Sequence, residues 1–235
     1  MKVAIMQPYF LPYIGYWQLI YAVDRFVLLD DVNYIMRGYI NRNKILLDRK
    51  CYKFTIPIQK ASQNKLISDT KLSFSVEEKR RLLQTIRNAY KRALYFPEVM
   101  PLLEEIINYS EDDLTAYILN SIKIILNYLD VNTKIYISSK LQKKQELKAE
   151  ERIIEICKVM DADMYINPCG GRSLYSREHF ETEGMKLCFL DTRKNQIFYD
   201  QGIKEFEKDL SIIDILMFNH KLRVKEFLKE YDLSG

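Results

Sequence analysis

Two adjacent carboxylates, Asp30 and Asp31, close the apolar run "RFVLLDDV". Such a pair can hold magnesium, or act as a general base once burial or a like-charged neighbour raises one pKa. Successive strand residues point to opposite faces, so one of the two is expected to reach a ligand. From Asp30 to Leu46 the chain reads "DDVNYIMRGYINRNKIL", with Arg37, Arg42, Lys44, Asn33, Asn41 and Asn43 in seventeen residues. Arginine forks bind phosphate in bidentate fashion, and side-chain amides read a sugar or base edge. The plainer alternative is a polar loop in which Arg37 pairs with Asp31.

Three further segments are too polar and specific for packing alone. "QPYFLPYIGY" carries Gln7, Pro8, Pro12, Tyr13 and Gly15. "YINPCGGRSLY" sets Asn167-Pro168 and Gly170-Gly171 in a turn after a strand, where backbone N–H groups can form an anion nest. Cys169 within it invites a nucleophile reading, but that needs a lowered pKa and a nearby base, and His179 is the only histidine close in sequence. A plain loop residue is preferred. "ISSKL" puts Ser138, Ser139 and Lys140 at a strand end, either to hold phosphate or to begin a loop. No GxSxG elbow, P-loop or GxGxxG occurs. Two histidines and four cysteines without CxxC spacing give neither a zinc constellation nor a disulfide framework, so the thiols are read as reduced.

The elements that position these groups begin with the uncharged stretch from Val3 to Val23. Pro8 and Pro12 break it, and Gln7 and Gln18 add polar groups, so a signal or membrane span is not expected and the chain is read as cytoplasmic. It divides into a strand "KVAIMQ", a proline-punctuated loop and a buried helix "YIGYWQLIYAV", with "RFVLLDDV" as the next strand. Strand, loop, buried helix, strand opens a mostly parallel α/β sheet, whose ligands bind outside the carboxyl ends of the strands. One α/β domain over 1–235 is expected, with a helical lobe inserted at about 76–129. In "SVEEKRRLLQTIRNAYKRALYF", Arg80, Arg87 and Lys91 line one helix face, read as solvated in preference to a phosphate strip. Ser110 with Asp113 resembles a helix start, and Ser211 with Asp214 has capping-box spacing, Asp standing in for Glu. Strand–helix alternation resumes in "TKIYISS", "ELKAEERIIEICKVM", "DMYINP", "SREHFETEG" and "KLCFLD". A net charge of +4 does not call for nucleic acid.

Nearly end to end, the chain resembles the WbqC-like protein family. The likeness is carried by "MQPYFLPYIGYWQLI", "FVLLDDVNYIMRGYINRNKIL", "YINPCGGRSLY" and "LSIIDILMFN". Matching motif positions are Gln7, Pro8, Pro12, Gly15, Asp30, Asp31, Arg37, Gly38, Asn41, Arg42, Asn43, Asn167, Pro168, Gly170 and Gly171; Tyr39 replaces another aromatic, and Cys169 is not a fixed feature. The resemblance implies bacterial O-antigen or lipopolysaccharide biosynthesis, with transfer of glycine or a similar acyl group to an amino sugar, itself expected as a sugar nucleotide. In that chemistry Asp30 or Asp31 deprotonates the amine, Arg37, Arg42 and Lys44 grip the diphosphate, and the Gly170-Gly171 amides hold the oxyanion. Without an adenylating motif, no cofactor is expected. The donor must arrive activated, as a thioester, on a carrier protein or as an aminoacyl-tRNA. Two alternatives stand beside this reading. One is a nucleotidylyltransferase using magnesium, although Tyr13-Ile14-Gly15-Tyr16 occupies the place of its HxGH motif. The other is a non-catalytic assembly protein that binds sugar nucleotides.

Overall fold

β1 (Lys2–Met6) is a strand buried on both faces: Val3 and Ile5 pack into the cluster on one side, Ala4 into the cluster on the other. Parallel sheets require that double cover. The computed structural model, which describes residues 1–144 and 146–235, places β1 near the centre of a six-stranded sheet. α1 (Ile14–Tyr21) returns the chain to β2 (Arg25–Leu28), and a separate antiparallel hairpin, β3 (Arg42–Leu47) with β4 (Lys50–Thr55), follows. Next come the helices α2 (Val76–Tyr90), α3 (Phe96–Asn108) and α4 (Leu114–Tyr128). The sheet resumes with β5 (Lys134–Ile137), α5 (Ala149–Val159), β6 (Met164–Pro168), α6 (Arg177–Thr182) and β7 (Lys186–Thr192). α7 (Ile212–Phe218), α8 (Lys221–Phe227) and β8 (Tyr231–Ser234) complete the chain.

The sheet order is β5-β2-β1-β6-β7-β8, parallel except for β8. From β1 the chain moves outward through β2 to β5, then crosses back to β6 on the other side. The strand order therefore reverses between β1 and β6, and crevices outside the carboxyl ends at such a reversal are where α/β sheets bind ligands. The mostly parallel α/β sheet matches the expectation from sequence. Among the described residues, no helix is long and apolar enough to cross a membrane.

Local differences have local causes. Asp113, not Ser110, caps α4, its carboxylate accepting the Ala116 amide at 2.8 Å. Ser211 caps α7, but Asp214 does not reach back to complete a box. Its carboxylate is fully buried and accepts from Tyr90 (2.8 Å), Tyr199 (2.6 Å) and Gln201 (2.8 Å), which costs less than leaving three buried donors unmet. "NRNKIL", read as part of a ligand loop, belongs largely to β3, whose side chains alternate between partial and full burial at Arg42, Asn43, Lys44 and Ile45. Arg80 pairs with Glu77 and Arg87 with Glu104, the behaviour of a solvated helix face.

Candidate functional site

The loop between β1 and α1 is held in one shape by its own carbonyls. Leu11 has φ +44, in the left-handed region that a branched side chain disfavours. Its carbonyl accepts from Asn43 Nδ2 at 2.6 Å and from Ser211 Oγ at 2.7 Å. Neighbouring bonds run from the Phe10 amide to Ile40 (3.0 Å), from the Ile212 amide to Pro12 (2.9 Å) and from Trp17 Nε1 to Pro12 (3.0 Å). Asn43 and Ser211, both buried, thus hold a strained loop over the end of β1. Gln7 is half-buried at its start; its carbonyl accepts from Tyr16 Oη at 2.9 Å, and its side chain makes no hydrogen bond among the described residues.

Beside this loop lies a cleft of about 230 Å³. Tyr9, Tyr13 and Tyr39 line it together with Pro12 and Asn43. Lys194 and Asp209, paired at 2.9 Å, complete the lining. Tyr9 stands 5.5 Å from Tyr16 and 6.4 Å from Tyr39, ring centre to centre. Burial pushes the Tyr13 phenol up to about 12, with Asp209, Cys169 and Tyr9 adding to it, so it is a neutral hydroxyl at physiological pH. Tyr13 is also the N-cap residue of α1, where no side chain caps the helix and no acid occupies the first turn. Free N–H groups and the helix dipole favour an anion at such an end. Gly15 is required by this geometry: a Cβ there would lie 2.6 Å from Cε2 of Tyr13 and 3.0 Å from Thr192 Oγ1.

The two carboxylates diverge, as neighbours in extended chain should. Asp30 is buried and accepts the Ser139 amide on Oδ1 (2.8 Å) and the Ser139 hydroxyl on Oδ2 (2.7 Å). Burial pushes its pKa up against the pull of those bonds. Asp31 faces Lys143, whose buried ammonium lies 2.7 Å from Oδ2. Burial would raise Asp31 too, but Lys143, Ser138 and the Arg152 charge outweigh it, and its pKa is lowered. Ser138 and Ser139 therefore serve the ends of β2 and β5. The Arg37–Asp31 pair of the plainer alternative does not form.

Nor do the cations of the second segment converge. Arg37 sits at φ +63 on an exposed loop, and Arg42 is half-buried at the start of β3. Lys44 is tied to Glu207 (3.3 Å) and to the Lys208 carbonyl (3.1 Å). Asn41 accepts from Tyr34 Oη on Oδ1 (2.6 Å) and donates from Nδ2 to the Ile56 carbonyl (2.8 Å). Across the crevice, Asn167 at the end of β6 accepts from Tyr165 Oη at 3.1 Å, and its amide packs so closely on Gly171 that a Cβ there would run into it. Gly170 has open space around it. Cys169 stands 3.5 Å from Asp191; burial, then that carboxylate, pushes the thiol up, the reverse of an activated nucleophile. Among the described residues no cluster of His, Cys, Asp and Glu could hold a metal.

The structure thus brings Pro12, Tyr13 and Asn43 together at one cleft, with Gly15 behind the Tyr13 ring and Gln7 and the Asn167–Gly171 turn at the flanking strand ends. Arg37, Arg42, Asn41 and the Asp30–Asp31 pair are not among its lining residues. Sequence reasoning missed Tyr9, Lys194 and Asp209. Lys194 follows the carboxyl end of β7, so the strand-end rule that picked out the other segments covers it as well. Asp209 lies in a stretch with no periodicity.

A family model described as "WbqC-like protein family" matches residues 7–226. The chain is also similar to the "Uncharacterized protein Rv1507c" of Mycobacterium tuberculosis, 27% identical over 232 residues, covering 97% of each chain. No solved structure matches.

Proposed function

Because the chain belongs to the WbqC-like protein family, we propose that it is a transferase of bacterial surface-polysaccharide biosynthesis, moving glycine or a similar acyl group from an activated donor to the amine of a nucleotide-linked amino sugar. The observation that carries this reading is the tyrosine-lined cleft beside an uncapped helix N-terminus, at the reversal of a parallel sheet. Tyrosine rings offer an apolar face with a polar edge, which suits the C–H and O–H surfaces of a sugar ring. Asp209 accepts a hydrogen bond from the acceptor's amine. The α1 amides and Lys194 take the diphosphate. Attack requires a neutral nitrogen, and on this reading Asp209, the one carboxylate among the cleft's lining residues, receives its proton. Amides of the Gly170-Gly171 turn supply donors for the developing oxyanion. Asp30 and Asp31, engaged by Ser139 and Lys143, hold the sheet edge on which the site is built.

A thermal-shift series with nucleotide-diphospho amino sugars against the matching plain nucleotides tests it. A ligand at about 100 times its dissociation constant adds roughly 2.7 kcal/mol. For a chain of this size that raises the melting temperature by about 5–10 °C. The reading expects this shift with the amino-sugar nucleotide only, and its loss in Tyr13→Ala. Equal shifts with plain nucleotides would contradict it.

A further inference from the structure

The hairpin of β3 and β4 turns through two residues, Asp48 and Arg49, with φ +49 and +62. A two-residue turn with both φ positive strongly favours glycine at its second position. An arginine there keeps a disfavoured backbone without relieving it, and a side chain retained under strain invites the question of what it serves. Arg49 lines a groove of about 820 Å³, together with Lys91 and Arg92, which follow α2. None of these three cations has an ion-pair partner among the described residues, and Asp48 is the one carboxylate among the groove's lining residues. Lys91 and Arg92 also complement the carboxyl end of α2. That accounts for neither Arg49 nor the concavity. Buried Leu46, Tyr90 and Ala93 form an apolar part of a largely polar wall, and the groove's volume is that of a small-molecule site.

The groove and the cleft share no lining residue, but one segment of chain, Gln201 to Asp209, reaches both. Gln201 on its wall donates to Tyr199 Oη (3.3 Å) and to the Glu207 carbonyl (3.0 Å). Tyr199 and Glu207 line a smaller cavity that shares Lys194 and Asp209 with the tyrosine cleft. Residues 199–209 therefore form a strap that runs from the groove wall to the cleft.

We infer that this groove holds the phosphorylated handle of the acyl donor, a nucleotide thioester of the coenzyme A class, whose acyl end passes the strap to the cleft. The inference rests on the transferase reading above. The acceptor nitrogen attacks the thioester carbonyl carbon; the C–N bond forms, the C–S bond breaks, and the proton that Asp209 takes from the amine passes to the departing thiolate. No oxidant or reductant is needed. An RNA-borne donor would be gripped over many phosphates, for which three cations in a concavity and a net charge of +4 are a poor match.

Isothermal titration of the whole protein with coenzyme A, ATP, pyrophosphate and unfractionated tRNA tests the inference, using wild type, Arg49→Gly and Asp209→Asn. Coenzyme A is expected to bind most tightly. Its affinity should fall about tenfold or more in Arg49→Gly, roughly the loss of one charge-assisted contact, and hold in Asp209→Asn. Glycine suits the turn, so Arg49→Gly should melt no lower than wild type, which separates lost contact from lost fold. Equal binding of coenzyme A and ATP, tighter binding of tRNA, or an Arg49→Gly protein with undiminished coenzyme A affinity would each overturn it. Amino-sugar nucleotide binding that persists when coenzyme A does not bind leaves the transferase reading intact and removes only the donor groove.

Discussion

Asn43 Nδ2 lies 2.6 Å from the carbonyl of Leu11, the residue that carries the left-handed backbone of the β1–α1 loop. The same amide reaches the Phe10 carbonyl at 3.3 Å, so one buried side chain satisfies two loop carbonyls from across the fold. Asn43→Ala leaves the Phe10 carbonyl unmet and the Leu11 carbonyl with Ser211 alone, and should cost about 1–3 kcal/mol in urea unfolding. Ser211→Ala removes the other donor to the Leu11 carbonyl and should deepen that loss in the double variant. An Asn43→Ala protein as stable as wild type would show that the loop does not depend on this clamp.

The Asp31–Lys143 pair sets an acid-side dependence of stability. Burial raises the Asp31 pKa, but Lys143, Ser138 and Arg152 together bring it below the ordinary 3.8. A carboxyl lowered in the folded state contributes stability above its unfolded pKa and loses it as pH falls through the folded value. Lys143→Met leaves a largely buried carboxylate without its cation and should cost about 3 kcal/mol near neutral pH. Adding Asp31→Asn should restore much of the loss and flatten the acid limb of a stability–pH profile. A Lys143→Met protein with unchanged midpoint and unchanged acid limb would count against the pair.

Gly15 separates stability from binding. In the first turn of α1, alanine should raise helix stability by up to about 1 kcal/mol. Its Cβ would meet the Tyr13 ring at 2.6 Å and displace it from the cleft. The expected variant melts close to wild type yet binds amino-sugar nucleotides about tenfold or more weakly, the effect of roughly 1.4 kcal/mol. Unchanged affinity in Gly15→Ala would remove Tyr13 from the binding surface.

Much of the sheet was legible in the chain, because strands covered on both faces read as unbroken apolar runs, as in "KVAIM" and "KLCFL". The rule that ligands gather at strand ends also drew attention to Gln7–Gly15 and Asn167–Gly171, which do flank the reversal between β1 and β6. What each polar side chain does there was not legible. Asn43 has the composition of a ligand-reading amide, yet its partner is a backbone carbonyl 32 residues earlier. Asp214 has the spacing of a cap and instead meets Tyr90, 124 residues before it. Such partners depend on which elements pack together, and periodicity carries only the faces of an element, not its neighbours. Asp209 was invisible for the same reason.

On the proposed reading, Asp209 and the tyrosine cleft recognise a sugar amine. Titration calorimetry of one nucleotide-diphospho amino sugar, with its amine free and with the same amine acylated, tests it most directly on wild type and Asp209→Asn. The free amine should bind wild type about tenfold or more tightly than the acylated form, and Asp209→Asn should erase that preference while keeping its fold. Equal affinity for the two forms, or a preference that survives Asp209→Asn, would contradict the account.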